Sequence, residues 1–154
     1  MNARKIILTL AMYHVGLTLA FAQDPNMGTW KLNEAKSQLS PGAPKNIKVV
    51  YEAAGDKVKV TVDGIDANGK PTHNEWLGKF DGRDYPVTGD SNEDTRSYTK
   101  IDDRILGLNT KKGGKAVASG RIVVSSDGKS RTVTVRGTDP KGKKFRSNAL
   151  YDKQ

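Results

Sequence analysis

Residues 57–62 read Lys-Val-Lys-Val-Thr-Val, and this stretch decides the fold class of the chain. Valine occupies every second position with lysine or threonine between, so one face of the segment is apolar and the other is polar. A period of two is typical of a β-strand with one buried and one solvated face, because successive side chains point to opposite sides of the backbone. The stretch therefore predicts an antiparallel sheet that covers a core on one side.

The same period continues on both sides of this strand, with turn residues about every ten positions. Gly55-Asp56 precedes the strand, and Asn68-Gly69 follows it with the residue pair that tight hairpins favour. Pro86 predicts an edge position or a bulge, since proline cannot donate to a sheet ladder. No segment has a helical period. Strands are predicted at residues 29–32, 47–53, 57–62, 72–80, 85–88, 95–101, 104–110, 116–125, 131–138 and 143–151.

So many hairpin-linked strands in a short chain leave sheet edges that must be paired. Closing the sheet on itself pairs them most simply, so we predict an all-β fold with a single antiparallel up-and-down β-barrel of about 8–10 strands. A two-sheet sandwich is the structural alternative.

The first 22 residues predict a signal peptide. Arg4 and Lys5 give a basic start, residues 6–21 are almost wholly apolar, and Ala20-Phe21-Ala22 suits signal-peptidase cleavage. The alternative is an uncleaved anchor, but the run is short for a membrane span and contains His14. We therefore expect one mature domain, residues 23–154, that is secreted or periplasmic, does not span a membrane and, without cysteine, has no disulfide.

Basic residues outnumber acidic ones by 24 to 17 once the signal peptide is removed. The surplus looks diffuse, because residues such as Lys48, Lys57 and Lys59 alternate with apolar positions as on a solvated sheet face. A soluble basic surface is one interpretation. The other is attraction to an anionic envelope polymer, lipid headgroups or nucleic acid.

The candidate catalytic residues are few. His73 is the single histidine outside the signal peptide, and it lies on a strand face expected to be wet. Most carboxylates fall in turns, and residues 90–94 lack the spacing of a calcium loop. Arg96, Tyr98 and Lys100 interleave basic and aromatic residues only locally. We therefore predict no enzyme activity, no metal, no cofactor and no specific nucleic-acid partner.

Gly28-Thr29-Trp30-Lys31-Leu32 resembles the opening strand of the calycin superfamily, which includes the lipocalins and the intracellular fatty-acid-binding proteins. The resemblance implies a calycin-like barrel in which Trp30 plugs one end. Residues 149–153 are similar to the last strand of fatty-acid-binding proteins. The chain departs from that family at Ala149, where the family has an arginine that binds a carboxylate, and at Arg121, which lies two residues before the family's second arginine. The two-helix lid and the carboxy-terminal lipocalin helix have no counterpart.

These observations predict an exported, non-catalytic binding protein that holds a small apolar ligand inside the barrel. The candidate ligand-binding residues are Tyr51, Trp76, Tyr98, Arg121 and Tyr151. The alternative is an interaction or inhibitor-like module whose basic barrel surface binds a protein or an anionic envelope component. Whether the interior is open or filled separates the two hypotheses.

Overall fold

The computed structural model describes residues 24–154, so the predicted signal peptide lies outside the described part of the chain. Its only helical element there is a 3-10 turn, Glu34–Lys36. No helix within residues 24–154 is long and apolar enough to cross a bilayer. The strands are β1 Gly28–Leu32, β2 Lys45–Ala54, β3 Lys57–Ile65, β4 Pro71–Gly78, β5 Tyr85–Thr88, β6 Thr95–Asp102, β7 Ile105–Lys112, β8 Lys115–Val124, β9 Ser130–Thr138 and β10 Lys144–Lys153.

The ten strands form a closed antiparallel barrel in which each strand pairs with its neighbours along the chain. The first and last strands close it, with Trp30 opposite Lys153 and Leu32 opposite Tyr151. The predicted up-and-down barrel is therefore confirmed, and the sandwich alternative is wrong. β5, which contains Pro86, is the shortest link, with two residue pairs to the strand on either side.

The barrel has two ends of different character. The lower end carries the amino-terminal segment, residues 24–27, together with the β2–β3, β6–β7 and β8–β9 turns, as strand alternation requires. The upper end carries the long β1–β2 connection and the β3–β4, β7–β8 and β9–β10 turns. Residues 33–44 thus lie at the opposite end from the amino-terminal segment.

The core fills the inside of the barrel with side chains from alternate positions along the strands. Val58, Val60 and Val62 all point inward and are buried, as the sequence pattern predicts. Aromatic rings pack beside them: Trp76 meets Tyr98 edge-on at 4.8 Å between ring centroids, and Phe80 contacts both. The buried apolar residues are Trp30, Leu32, Val49, Tyr51, Val58, Val60, Val62, Trp76, Val87, Tyr98, Leu106, Ile122, Val124, Ala149 and Tyr151.

The β7–β8 turn is a tight hairpin that depends on two glycines. Gly113 and Gly114 have φ of 54° and 76°, in the left-handed region that residues with a Cβ seldom adopt. The turn places Lys112 directly opposite Lys115 in the ladder. Two lysines are thereby held side by side at the upper rim of the barrel.

Candidate functional site

The five ligand-binding residues predicted from sequence separate into two groups. Tyr51, Trp76, Tyr98 and Tyr151 are all buried in the barrel interior. Arg121 is exposed on the outside of β8, because its neighbour Ile122 takes the inward position. The interior arrangement brings four of the five residues together and leaves Arg121 on a different surface.

The interior tyrosines and tryptophans are anchored as well as packed. Trp76 Nε1 donates a hydrogen bond to the Arg96 carbonyl at 2.8 Å, and Tyr151 donates its hydroxyl to the Asn46 carbonyl at 3.0 Å. Burial raises the pKa of Tyr151 to about 12. Burial and the neighbouring Tyr51 raise the pKa of Tyr98 as well. These phenols are neutral at ordinary pH and act as packing groups with one fixed polar end.

A buried ion pair lies on the inward side of β6. Arg96 contacts the Glu93 carboxylate, with Nε at 3.1 Å from Oε1, and also donates to Asn74 Oδ1 at 3.1 Å. Burial raises the pKa of Glu93, against the opposing charge of Arg96. Because Arg96 and Tyr98 face the interior, the Arg96–Tyr98–Lys100 alternation is not an outer nucleic-acid surface.

A second buried arginine has no such partner. Arg131, at the start of β9, is 2% exposed, and its guanidinium lies 4.7 Å from the Trp30 ring centroid, 4.8 Å from Tyr51 and 5.1 Å from Tyr151. Its Nε and Nη1 atoms have no hydrogen-bond partner among residues 24–154. Three aromatic faces therefore provide its electrostatic stabilisation. Trp30 Nε1 donates a hydrogen bond to the Asn26 carbonyl, which holds the ring against the amino-terminal segment at the lower end.

Arg131 is not among the ligand-binding residues predicted from sequence. The signal was present, because Val133 and Val135 follow at two-residue intervals and place position 131 on the apolar face of the strand. The adjacent turn at Asp127-Gly128 made Arg131 look like an ordinary strand-start residue.

Charge is distributed unevenly along the described chain. Residues 24–111 contain 13 basic and 14 acidic side chains, whereas residues 112–154 contain 11 basic and only 3 acidic. Every ion pair found within residues 24–154 joins partners numbered 111 or lower. The basic surplus, which looked diffuse along the strands, is therefore concentrated in residues 112–154, the part of the chain that contains the last three strands.

The exposed cations of this region form what we term the basic face: the outer surface of β8–β10 with the β7–β8 and β9–β10 turns. Its members are Lys112, Lys115, Arg121, Arg136, Lys141, Lys143, Lys144 and Arg146, all exposed. The three carboxylates of residues 112–154 accept hydrogen bonds from uncharged donors. Asp139 accepts from the backbone amides of Lys141 and Lys143 at 2.9 and 2.8 Å, Asp152 accepts from Asn33, and Asp127 accepts from Ser125. The cations of the basic face therefore present their charge to solution.

Two further polar features of residues 24–154 lie apart from the interior and the basic face, namely His73 and a pocket at the upper rim. His73 is exposed, as expected, with Nδ1 at 2.7 Å from Asp63, and this contact raises the pKa of His73. Within residues 24–154 no three His, Cys, Asp or Glu side chains are arranged to hold a metal ion. A rim pocket of about 200 Å³ lies against the β1–β2 connection, with Glu34 and Lys45 in its wall.

No protein-family model matches the chain. No curated protein matches it either. The class defined by the structure is a ten-stranded antiparallel up-and-down barrel, consistent with a calycin-like fold.

Proposed function

We propose that the protein is an exported, non-catalytic binding protein whose basic face binds an anionic polymer of its surroundings. The observation that carries this proposal is the separation of charge: 11 basic side chains against 3 acidic ones in residues 112–154. Cations without carboxylate partners create a local positive potential that attracts polyanions and raises their association rate.

The shape of the basic face supports the same proposal. β8–β10 form a continuous sheet surface, since nine residue pairs join β9 to β10 and seven join β8 to β9. The lysines cluster at the upper rim, where Lys112 and Lys115 share one turn and Lys141 and Lys143 share the other. An extended polymer could therefore contact several cations at once along a rigid surface.

Binding to polyphosphate and to polygalacturonate at increasing salt tests this proposal. We expect affinity at low salt that falls steadily as salt increases, because the bound polymer releases counterions when cations neutralise it. Replacing Lys141, Lys143 and Lys144 with glutamine should weaken binding by about tenfold or more at 50 mM salt. The matched control replaces Lys57, Lys70 and Arg104, which removes the same charge outside the basic face.

Two outcomes would contradict the proposal. One is the absence of salt-sensitive binding to either polymer. The other is equal weakening by both triple variants, which would show that net charge matters and the location of the cations does not.

The sequence-based hypothesis of an apolar ligand inside the barrel is the second candidate. It is favoured by Arg131, whose Nε and Nη1 atoms lack partners within the described chain and lie among Trp30, Tyr51 and Tyr151. An amphipathic ligand would place its anionic head against Arg131 and its apolar body among the aromatic rings. It would have to displace aromatic rings that now fill the lower interior.

Mass spectrometry of a solvent extract tests this second candidate. The protein is purified gently from its native source, and a single stoichiometric compound that is lost from a folded Tyr51→Ala variant would support the interior site. A clean extract, repeated after incubation with envelope lipids, would rule it out and leave the basic face as the binding surface.

A further inference from the structure

Two arginines on the basic face are placed where the fold alone would disfavour them. Arg136 on β9 and Arg146 on β10 are directly opposite each other in the ladder, and both are exposed. Directly opposed residues on one face of a sheet have Cβ atoms about 4.5–5.5 Å apart, and like charges at that spacing are destabilising. Neither guanidinium forms an ion pair with any of residues 24–154.

The residues around this pair are hydrogen-bonding groups without a carboxylate. Ser119 is opposite Arg136 on β8, and the next outward row contains Arg121, Thr134 and Asn148 in register. Thr134 donates its hydroxyl to Asn148 Oδ1 at 3.0 Å, so the Asn148 side-chain oxygen is already occupied and its amide hydrogens can face a ligand. The surface thus offers many donors and no negative charge.

We propose that Arg136 and Arg146 together bind a phosphate monoester group carried by the anionic polymer, an inference that rests on the proposed function. Each guanidinium presents a planar fork of N–H donors that pairs with two oxygens at once. Two such forks on one carboxylate would use all of its roughly four lone-pair sites. A phosphate monoester carries three terminal oxygens and a charge of about −1.5 to −2, which matches two guanidinium groups.

The upper-rim lysines have a different part in this recognition. Lysine is a compact charge on a flexible stem, so Lys141 and Lys143 contribute long-range attraction with little preference among anions. The arginine pair lies on the flat of the sheet, where strand pairing fixes both backbones. Selectivity for phosphate is therefore assigned to the arginine pair and attraction to the lysine rim.

Nuclear magnetic resonance of the arginine Nε–Hε signals tests this assignment in the folded mature protein. Inorganic phosphate, sulfate and acetate are titrated separately at matched ionic strength and neutral pH. We expect phosphate to shift the Arg136 and Arg146 signals saturably and about tenfold more tightly than acetate, because phosphate has more oxygens and a larger negative charge to share between two guanidinium groups. The signal of Arg104, on the β6–β7 turn, is the internal control and should not move.

The charge-conserving variant Arg136→Lys with Arg146→Lys separates this inference from the proposed function. It should bind polyphosphate within about twofold of the parent, since the charge is kept, yet lose the preference for phosphate over acetate. An unchanged preference in that variant would overturn the inference. Equal response to phosphate and acetate in the parent would also overturn it while leaving polymer binding intact. Absence of polyphosphate binding in the parent would instead overturn the proposed function.

Discussion

Strands β1–β7 and strands β8–β10 are continuous in one barrel, yet their cations have different environments. In the first region, 8 of the 13 basic residues numbered 24–111 form an ion pair with a carboxylate. In the second region, the exposed cations have no acidic partner within the described chain. The contrast extends inside the barrel, where Arg96 is paired with Glu93 and Arg131 is surrounded by aromatic rings.

The difference indicates which charges serve the fold and which are available to a partner. A buried cation with a carboxylate is part of a hydrogen-bonded network whose members depend on one another. An exposed cation without a partner contributes little to stability, and several together oppose the compact state through mutual repulsion.

Arg96→Met should cause the largest loss of stability. The substitution leaves the Glu93 carboxylate buried without a counter-charge, and breaking a buried pair in this way typically costs about 3–5 kcal/mol. Urea unfolding measures the loss. The double variant Arg96→Met with Glu93→Leu should recover much of the stability, because no buried charge remains. Failure of the double variant to recover would show that Arg96 matters mainly through its side-chain hydrogen bond to Asn74.

Arg131→Met should have a smaller effect, with a loss of about 2 kcal/mol, because a desolvated cation–π contact is worth about that much and Nε and Nη1 of Arg131 have no hydrogen-bond partner within residues 24–154. Methionine fills a similar volume, and no carboxylate is left unpaired. The same urea experiment, run beside Arg96→Met, compares the two buried arginines directly. A loss as large as that of Arg96→Met would mean that the cation–π contacts support the barrel as strongly as an ion pair does.

Replacing Lys141, Lys143 and Lys144 with glutamine should leave the unfolding midpoint unchanged or raise it at low salt. These cations have no carboxylate partner within residues 24–154, so their removal relieves repulsion on the basic face. Added salt should narrow the gap between variant and parent by screening that repulsion. A lowered midpoint would indicate that the rim lysines stabilise the fold.

The contact of His73 with Asp63 should have the smallest effect on stability. It lies within residues 24–111, where most cations pair with carboxylates. The hydrogen bond to Asp63 raises the pKa of His73 in the folded protein above the ordinary value. A raised pKa means that the contact stabilises the folded state fully below the unfolded pKa, about 6.5, and that this contribution is lost as pH rises through the folded pKa. Proton resonance titration measures the folded pKa. Asp63→Asn should lower it, and an unchanged value would show that Asp63 is not the cause.

Much of the fold could be predicted from the sequence, because strand alternation and turn residues are local signals. Val58, Val60 and Val62 repeat at the period of a strand, and Asn68-Gly69 encodes its own hairpin. Glu93 could not be recognised as buried, since it lies in a run of turn-like polar residues and its partner Arg96 is on the following strand. The two residues are only three positions apart, yet their burial depends on how the loop before β6 packs against the barrel, and strand alternation does not contain that information.

The candidate site could likewise be predicted only in part from the sequence. The charge contrast between residues 24–111 and 112–154 is a property of the sequence alone, but its meaning required the ion pairs of the folded chain. Arg121 was assigned to the barrel interior by analogy with a family position two residues away. Ile122 takes the inward position on β8, so its neighbour Arg121 points outward.

Barrel closure also has a consequence for the order of folding during synthesis. The seam joins Trp30 to Lys153, so the two strands that complete the barrel are the first and the last to leave the ribosome. Until β10 emerges, β1 and β9 each keep an unpaired edge that could pair with another chain. Contacts so distant in sequence form slowly, since a long loop must close before they are gained. Nearly the whole chain must therefore be made before the barrel can close, and a nascent chain stalled before residue 144 would remain open and prone to aggregate.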